Sequence, residues 1–236
     1  MRYVRWALSG LAAMVVLLGG CASSNDGPIS GLSTEQAAEM NAKRGGGAQD
    51  NGGKEPELTA DTRYAAGQFA EMQGAPALAI NQYKEALKLD AGHVASLYRM
   101  GVLYAQLRNY PESIATWQEY VKRTPFDASG LSNLAYTYEL AGKPGEAEET
   151  YRLGVQKDGK NQACRVNYGL MLARHGRITE ATMQLQAVLS EAEVHYNLGS
   201  AFEQLGQRDT AKAEYRKAIE ADASAQAAKA RLAALE

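Results

Sequence analysis

The sequence predicts an all-α protein, an α-solenoid of about five helix pairs closed by a C-terminal capping helix. Three observations predict it. Ala and Leu are abundant while Val, Ile and Thr are thin, and no segment alternates apolar and polar residues over strand lengths. Small residues recur at Gly67, Gly101, Ala135, Gly169 and Gly199, at spacings of 34, 34, 34 and 30. Twelve residues after each comes a second small residue (Ala79, Ser113, Ala147, Ala181, Ala211), and four further on a bulky one (Tyr83, Trp117, Tyr151, Leu185, Tyr215). Each period is long enough for two antiparallel helices. The two small residues belong where the backbones come closest, with the bulky side chain beside them. A turn residue separates the helices: Gly74, Asn109, Gly142, Gly176 and Gly206, each expected to supply the left-handed conformation that ends the first helix.

Residues 1–20 are a different object. Arg2 and Arg5 give a positive start, and Ala7 to Leu18 is uncharged and mostly apolar. That run is a secretory signal peptide and is short for a membrane-spanning helix. Leu18-Gly19-Gly20-Cys21 resembles the lipobox of bacterial lipoproteins. The resemblance implies cleavage before Cys21, a diacylglycerol on its sulfur and an acyl chain such as palmitate on its amine. Ala22, where an inner-membrane retention signal would have Asp, implies an outer-membrane destination facing the periplasm. Without Arg2 and Arg5 the chain has 23 basic and 27 acidic residues, formally −4. The membrane would be held through lipid at Cys21, each buried CH₂ contributing roughly 0.8 kcal/mol.

Residues 21–57 read as a lipidated N-terminus and a tether. The segment is rich in Gly, Ser and Asn, with too little apolar surface to offset its ordering entropy. As a coil it spans about 30–35 Å, and fully extended it reaches roughly 120 Å. One short helix is expected at 34–43, where Ser33 and Gln36 fit a capping box. AQDNGGKE (Ala48 to Glu55) lacks both the first glycine and the hydroxyl residue of a phosphate loop, and no strand precedes it.

Residues 58–236 hold the repeats, at 60–93, 94–127, 128–161, 162–191 and 192–225, with a cap at 224–235. The fullest unit is Val194 to Ala221, VHYNLGSAFEQLGQRDTAKAEYRKAIEA. Its Leu-Gly, aromatic, Gly, Ala, Tyr and Ala-Ile positions resemble the tetratricopeptide repeat family, which implies a right-handed superhelix. Two residues depart from the family pattern at helix–helix contacts, Tyr120 and Gly154, where it prefers Ala. The fourth repeat is four residues short, about one helical turn. It should lose the end of its second helix and join the fifth through a tight turn near Ser190 and Glu191.

The family resemblance places several side chains on a concave groove lined by first helices: Tyr64, Gln68, Tyr98, Arg99, Asn133, Tyr136, Asn167, Leu170, Arg174, Tyr196 and Asn197. Tyrosine offers broad contact with a polar tip, suited to a protein or peptide partner. The asparagines could bond an extended backbone, or could instead hold their own repeat. A lysine-rich carboxylate clamp is not reproduced, since Tyr64 and Ser129 stand in its places. No basic face points to nucleic acid, and no small-molecule substrate or cofactor is implied. His93, His175 and His195 lie in different repeats without metal-ligand spacing. Cys164 is eleven residues from His175, about 16 Å along one helix, and reads as a half-buried packing residue. The acid pair Glu148-Glu149 reads as a solvated helix face.

The expected function is therefore a lipid-anchored scaffold rather than an enzyme. The layout resembles TadD-type pilus assembly lipoproteins and the pilotins of type IV pili, which help a secretin assemble. An adaptor for cell-wall or outer-membrane biogenesis enzymes is the alternative.

Overall fold

The computed structural model describes residues 58–236. The residues read as a signal peptide, the lipidation candidate Cys21, the expected tether and the helix expected at 34–43 lie outside the described residues. Eleven helices are described: α1 (Ala60–Met72), α2 (Pro76–Leu89), α3 (Val94–Gln106), α4 (Tyr110–Arg123), α5 (Ala128–Leu140), α6 (Pro144–Lys157), α7 (Gln162–Arg174), α8 (Ile178–Gln186), α9 (Glu191–Gln204), α10 (Arg208–Ala221) and α11 (Gln226–Leu235). They pair as α1–α2, α3–α4, α5–α6, α7–α8 and α9–α10. Each second helix also packs on the next first helix, and α11 packs on α10. This is an all-α helical-repeat solenoid.

Local chemistry sets the boundaries. Asp127 and Asn161 accept the backbone N–H of Ser129 and Cys164 at 2.9 Å, capping α5 and α7. Pro76, Pro111 and Pro144 sit in the first turns of α2, α4 and α6, where a missing N–H costs nothing. Gly74, Gly142, Gly176 and Gly206 end their first helices at φ of 68–76°. The second repeat differs from expectation: Arg108, not Asn109, holds the left-handed conformation, at φ 59°. Asn109 is instead the N-cap of α4, at φ −86°. Arg108 stands 34 residues from both Gly74 and Gly142, so repeat register decides the site and a non-glycine residue bears the strain.

The 34-residue glycines are explained by the bulky residue sixteen positions on. A Cβ on Gly101 would stand 2.6 Å from the Trp117 ring, one on Gly199 2.7 Å from Tyr215, and one on Gly169 2.8 Å from Leu185. The second small residue closes the same contact from its own helix. Ala79, Ser113, Ala147, Ala181 and Ala211 are all fully buried, and Ser113 donates its hydroxyl to the Gly101 carbonyl at 2.8 Å.

The two departures from the family pattern are each compensated in the next repeat. Tyr120 lies where a Cβ on Gly130 would be, 2.5 Å away, and donates its hydroxyl to Asp127 at 2.6 Å. At Gly154 the relation reverses, because the Cys164 sulfur would stand 2.6 Å from a Cβ there. Cys164 is thus fully buried rather than half-buried, and its Sγ lies 3.7 Å from the Tyr151 carbonyl. A residue whose size matches the hole left by its neighbour is drawn wholly into the core.

In the fourth repeat α8 has 9 residues, against 14 in α2, α4, α6 and α10. Ser190 caps α9, with Glu193 returning a bond to the Ser190 N–H at 2.9 Å. The lost turn leaves a pocket of about 370 Å³ between α8, α9 and α10, lined by Ile178, Thr182, Val194, Leu198, His195 and Glu214.

Candidate interaction surface

The first helices of the third, fourth and fifth repeats also contact one another, α5 with α7 and α7 with α9, so their side chains form one row. Tyr64, Tyr98 and Tyr196 occupy the same position in repeats one, two and five. Each is half-buried and rests on the bulky residue nineteen positions on. Ring centroids are 5.4 Å apart for Tyr64–Tyr83, 5.1 Å for Tyr98–Trp117 and 5.8 Å for Tyr196–Tyr215. Tyr98 also meets the Tyr120 ring edge-on at 5.7 Å, and Tyr64 stands 5.1 Å from His93. Tyr136 is half-buried against the largest core cluster. Burial raises the hydroxyl pKa of Tyr64 and Tyr136, so both remain neutral donors at physiological pH. Gln68 is exposed, its amide 3.4 Å from the Tyr64 hydroxyl, whereas Leu170 is buried.

The asparagines of this row bond to the protein itself. Asn133 reaches back to the Tyr98 hydroxyl at 3.5 Å and Asn167 to the Ser132 hydroxyl at 3.1 Å, each tying one repeat to the previous one. Asn197 donates to the Glu193 carbonyl of its own helix at 2.8 Å.

The arginines belong to a clasp that sequence reasoning missed. Glu71 accepts the Tyr83 hydroxyl from its own repeat and the Arg99 guanidinium from the next. Glu139 does the same with Tyr151, at 2.8 Å, and Arg174. Glu203 repeats it with Tyr215, at 2.8 Å, and Arg231 of the cap. The second and fourth repeats have Ala105 and Ala173 at the glutamate position, and Trp117 and Leu185 where the tyrosine would be. Glutamate is therefore present only where a tyrosine follows twelve residues later. That pairing was visible in the sequence. Burial, reinforced by the carboxylate, pushes the hydroxyls of Tyr83, Tyr151 and Tyr215 well above the tyrosine range.

A second pair recurs on the same helices: Arg63 with Gln82 at 3.1 Å, Arg165 with Gln184 at 2.8 Å, and His195 with Glu214 at 2.7 Å. His93 lies between Ser96 and Asp61, and His175 turns back to the Met171 carbonyl. The histidines and Cys164 thus have separate partners. No group of three His, Cys, Asp or Glu side chains among the described residues could hold a metal ion. Glu148, read as solvated, is half-buried and pairs with Arg152 at 2.7 Å and Arg177 at 2.8 Å. Burial opposes its charge, but the guanidinium bonds win and its pKa is lowered.

Two family models match the chain, both described as tetratricopeptide repeat, over residues 98–163 and 192–224. Photosystem I assembly protein Ycf3 of Synechococcus sp. (strain CC9902) is 31% identical over 90 residues, covering 37% of this chain and 52% of that protein. Small glutamine-rich tetratricopeptide repeat-containing protein 2 of Saccharomyces cerevisiae is 28% identical over 122 residues, covering 48% of this chain and 35% of that protein. The chain spans from about a third to about half of the length of these curated relatives. Among solved structures, YrrB, described as a TPR protein with an unusual peptide-binding site, superposes with a TM-score of 0.52 at 19% identity, covering 84% of this chain and 96% of that one. MamA gives 0.56 at 19% identity, covering 69% and 91%. Pseudomonas aeruginosa pilF gives 0.54 at 17% identity, covering 74% and 82%. At these identities the structural likeness is one of fold.

Proposed function

We propose, from the premise that this is a chain of tetratricopeptide repeats, that it is an interaction scaffold which holds a protein or peptide partner along its first helices. The observation that carries the reading is the row of half-exposed tyrosines, Tyr64, Tyr98, Tyr136 and Tyr196, set on rigid helices. Rings already fixed by packing lose little freedom on contact, so their area converts efficiently into binding. Arg99 and Arg174 are engaged by Glu71 and Glu139. A partner is therefore met by rings and hydroxyls, which favours a neutral or apolar segment over an acidic C-terminus.

The lipobox-like Leu18-Gly19-Gly20-Cys21 supports a lipid anchor at Cys21, facing the periplasm from the outer membrane. A lipidated cysteine, a tether and a row of repeats together support a role in assembling an envelope machine, a pilus or its secretin first. The test is capture from an envelope extract with the full chain and with the Tyr98→Ala/Tyr136→Ala/Tyr196→Ala variant. A partner lost with the rings, and identified as a pilus or secretin component, supports the reading. Equal capture by both proteins removes the groove, and a cell-wall hydrolase as partner replaces the pilus role. Acyl labelling of the wild-type chain and of Cys21→Ser tests the anchor. Absence of label on the wild type refutes it.

A further inference from the structure

The two ends of the solenoid are not alike. At the C-terminal end α11 covers the last repeat, and Ala228 is buried in one cluster with Ala218 and Tyr215. At the N-terminal end α1 presents side chains that the other first helices bury against the preceding repeat. Phe69 is 62% exposed, while residues at the same position in the later repeats, Leu103, Thr137, Met171 and Ala201, are 4%, 1%, 3% and 1% exposed. Ala66 is exposed where Met100, Leu134, Tyr168 and Leu198 are buried, and Thr62 is exposed where Ser96, Gly130, Cys164 and Val194 are buried. Met72, one turn on, is 82% exposed. The face α1 offers is thus a stacking face of the solenoid with no preceding repeat described on it.

We propose that residues 34–43 of the same chain fold as a helix across this face and act as the N-terminal cap. The segment TEQAAEMNAK carries its own start signal in Ser33 and Gln36. Its Ala37, Ala38 and Ala42 offer the small side chains that the face requires. Elsewhere in the solenoid two residues at Thr62's position meet partners of complementary size: Gly130 with Tyr120, and Cys164 with Gly154. Small residues of the segment would likewise meet Thr62 and leave room for the Phe69 ring. Reach is ample. Residues 44–57 can extend roughly 46 Å, while α1, with 13 residues, is about 20 Å long. Tethering at this distance gives an effective concentration of order mM, which favours the chain's own segment over a second copy. Docking would also shorten the free tether to the residues on either side of the helix, bringing the repeats closer to residue 21.

Hydrogen exchange in the full chain tests this. Amides of 34–43 should exchange about tenfold or more slowly than an unstructured segment, equally at low and high protein concentration. Phe69→Glu and, separately, Ala38→Glu should each abolish that protection while leaving α7–α9 unchanged. Ala38→Glu alters no described residue, so a folding defect in the first variant cannot decide the outcome. Unprotected amides in the wild type overturn the proposal. So does protection that grows with concentration, which would identify a second copy as the occupant.

Discussion

Tyr120 and Gly130 share one volume: the ring of the first stands 2.5 Å from where a Cβ on the second would be. Glycine inside a helix normally costs about 1 kcal/mol relative to alanine. Here the sign should reverse. Gly130→Ala is expected to destabilise the protein by about 2 kcal/mol through overpacking. In Tyr120→Ala the same substitution should become neutral or stabilising. Urea midpoints of the four proteins give the coupling, expected at roughly 1–3 kcal/mol. Additive effects would show that the two residues do not compete for space.

Glu139 bonds Tyr151 of its own repeat and Arg174 of the next. Glu139→Ala leaves a buried hydroxyl and a guanidinium without their acceptor, for an expected loss of about 2–3 kcal/mol. Tyr151→Phe removes one bond and leaves the carboxylate with its arginine, for about 1 kcal/mol. The order of the two urea midpoints is the test.

Arg108 carries a left-handed backbone that glycine holds in the same turn of the other repeats. Arg108→Gly should raise stability by up to about 1 kcal/mol, because relief of the Cβ clash outweighs the added freedom of the unfolded chain. A lower melting temperature would assign Arg108 a contact that offsets its strain.

Cys164 is fully buried, and burial pushes its thiol up to about 12. At pH 8 the native chain should show no alkylation of Cys164, and full alkylation in denaturant. Rapid native labelling would mean that the α6–α7 junction opens.

Stability should have a plateau bounded on both sides. Tyr83, Tyr151, Tyr215 and Cys164 have folded-state pKa values above their unfolded ones. Their contribution is complete below the unfolded thiol value, near pH 8.5, and is lost as pH rises beyond the tyrosine range near 10. Glu193, lowered by bonds from the Ser190 backbone and hydroxyl, and Glu148, lowered by Arg177 against its burial, act in the opposite sense. Their contribution is present above about pH 4.3 and falls as acid protonates them. Thermal melts between pH 3 and 11 should decline at both ends.

Much of the fold was legible because its periodic residues report contacts within a single repeat. Gly101 and Trp117 are sixteen residues apart in the sequence and touch in space. The short fourth repeat was equally plain, and α8 ends as the missing turn requires. Arg108 was misassigned because asparagine is the commoner left-handed residue after glycine, although the 34-residue register points one position earlier. The partners of the candidate groove residues were harder to read. Arg99, Asn133, Asn167 and Arg174 bond across repeat junctions to residues 28 or 35 positions earlier. Those distances depend on how successive pairs stack, which no single repeat encodes.

The matched volumes at the junctions bear on a hazard particular to repetitive chains. Helix pairs of similar pattern could stack in the wrong order, the third against the fifth or the second against the fourth. Tyr120 set against Cys164 would overfill the contact, and Gly154 set against Val194 would meet a branched side chain in place of the Cys164 sulfur. Each of these two junctions is therefore a lock cut for one key, and a repeat that skips its neighbour meets a poorer fit there than the neighbour itself. The same residues that depart from the common pattern give the second, third and fourth helix pairs an internal address.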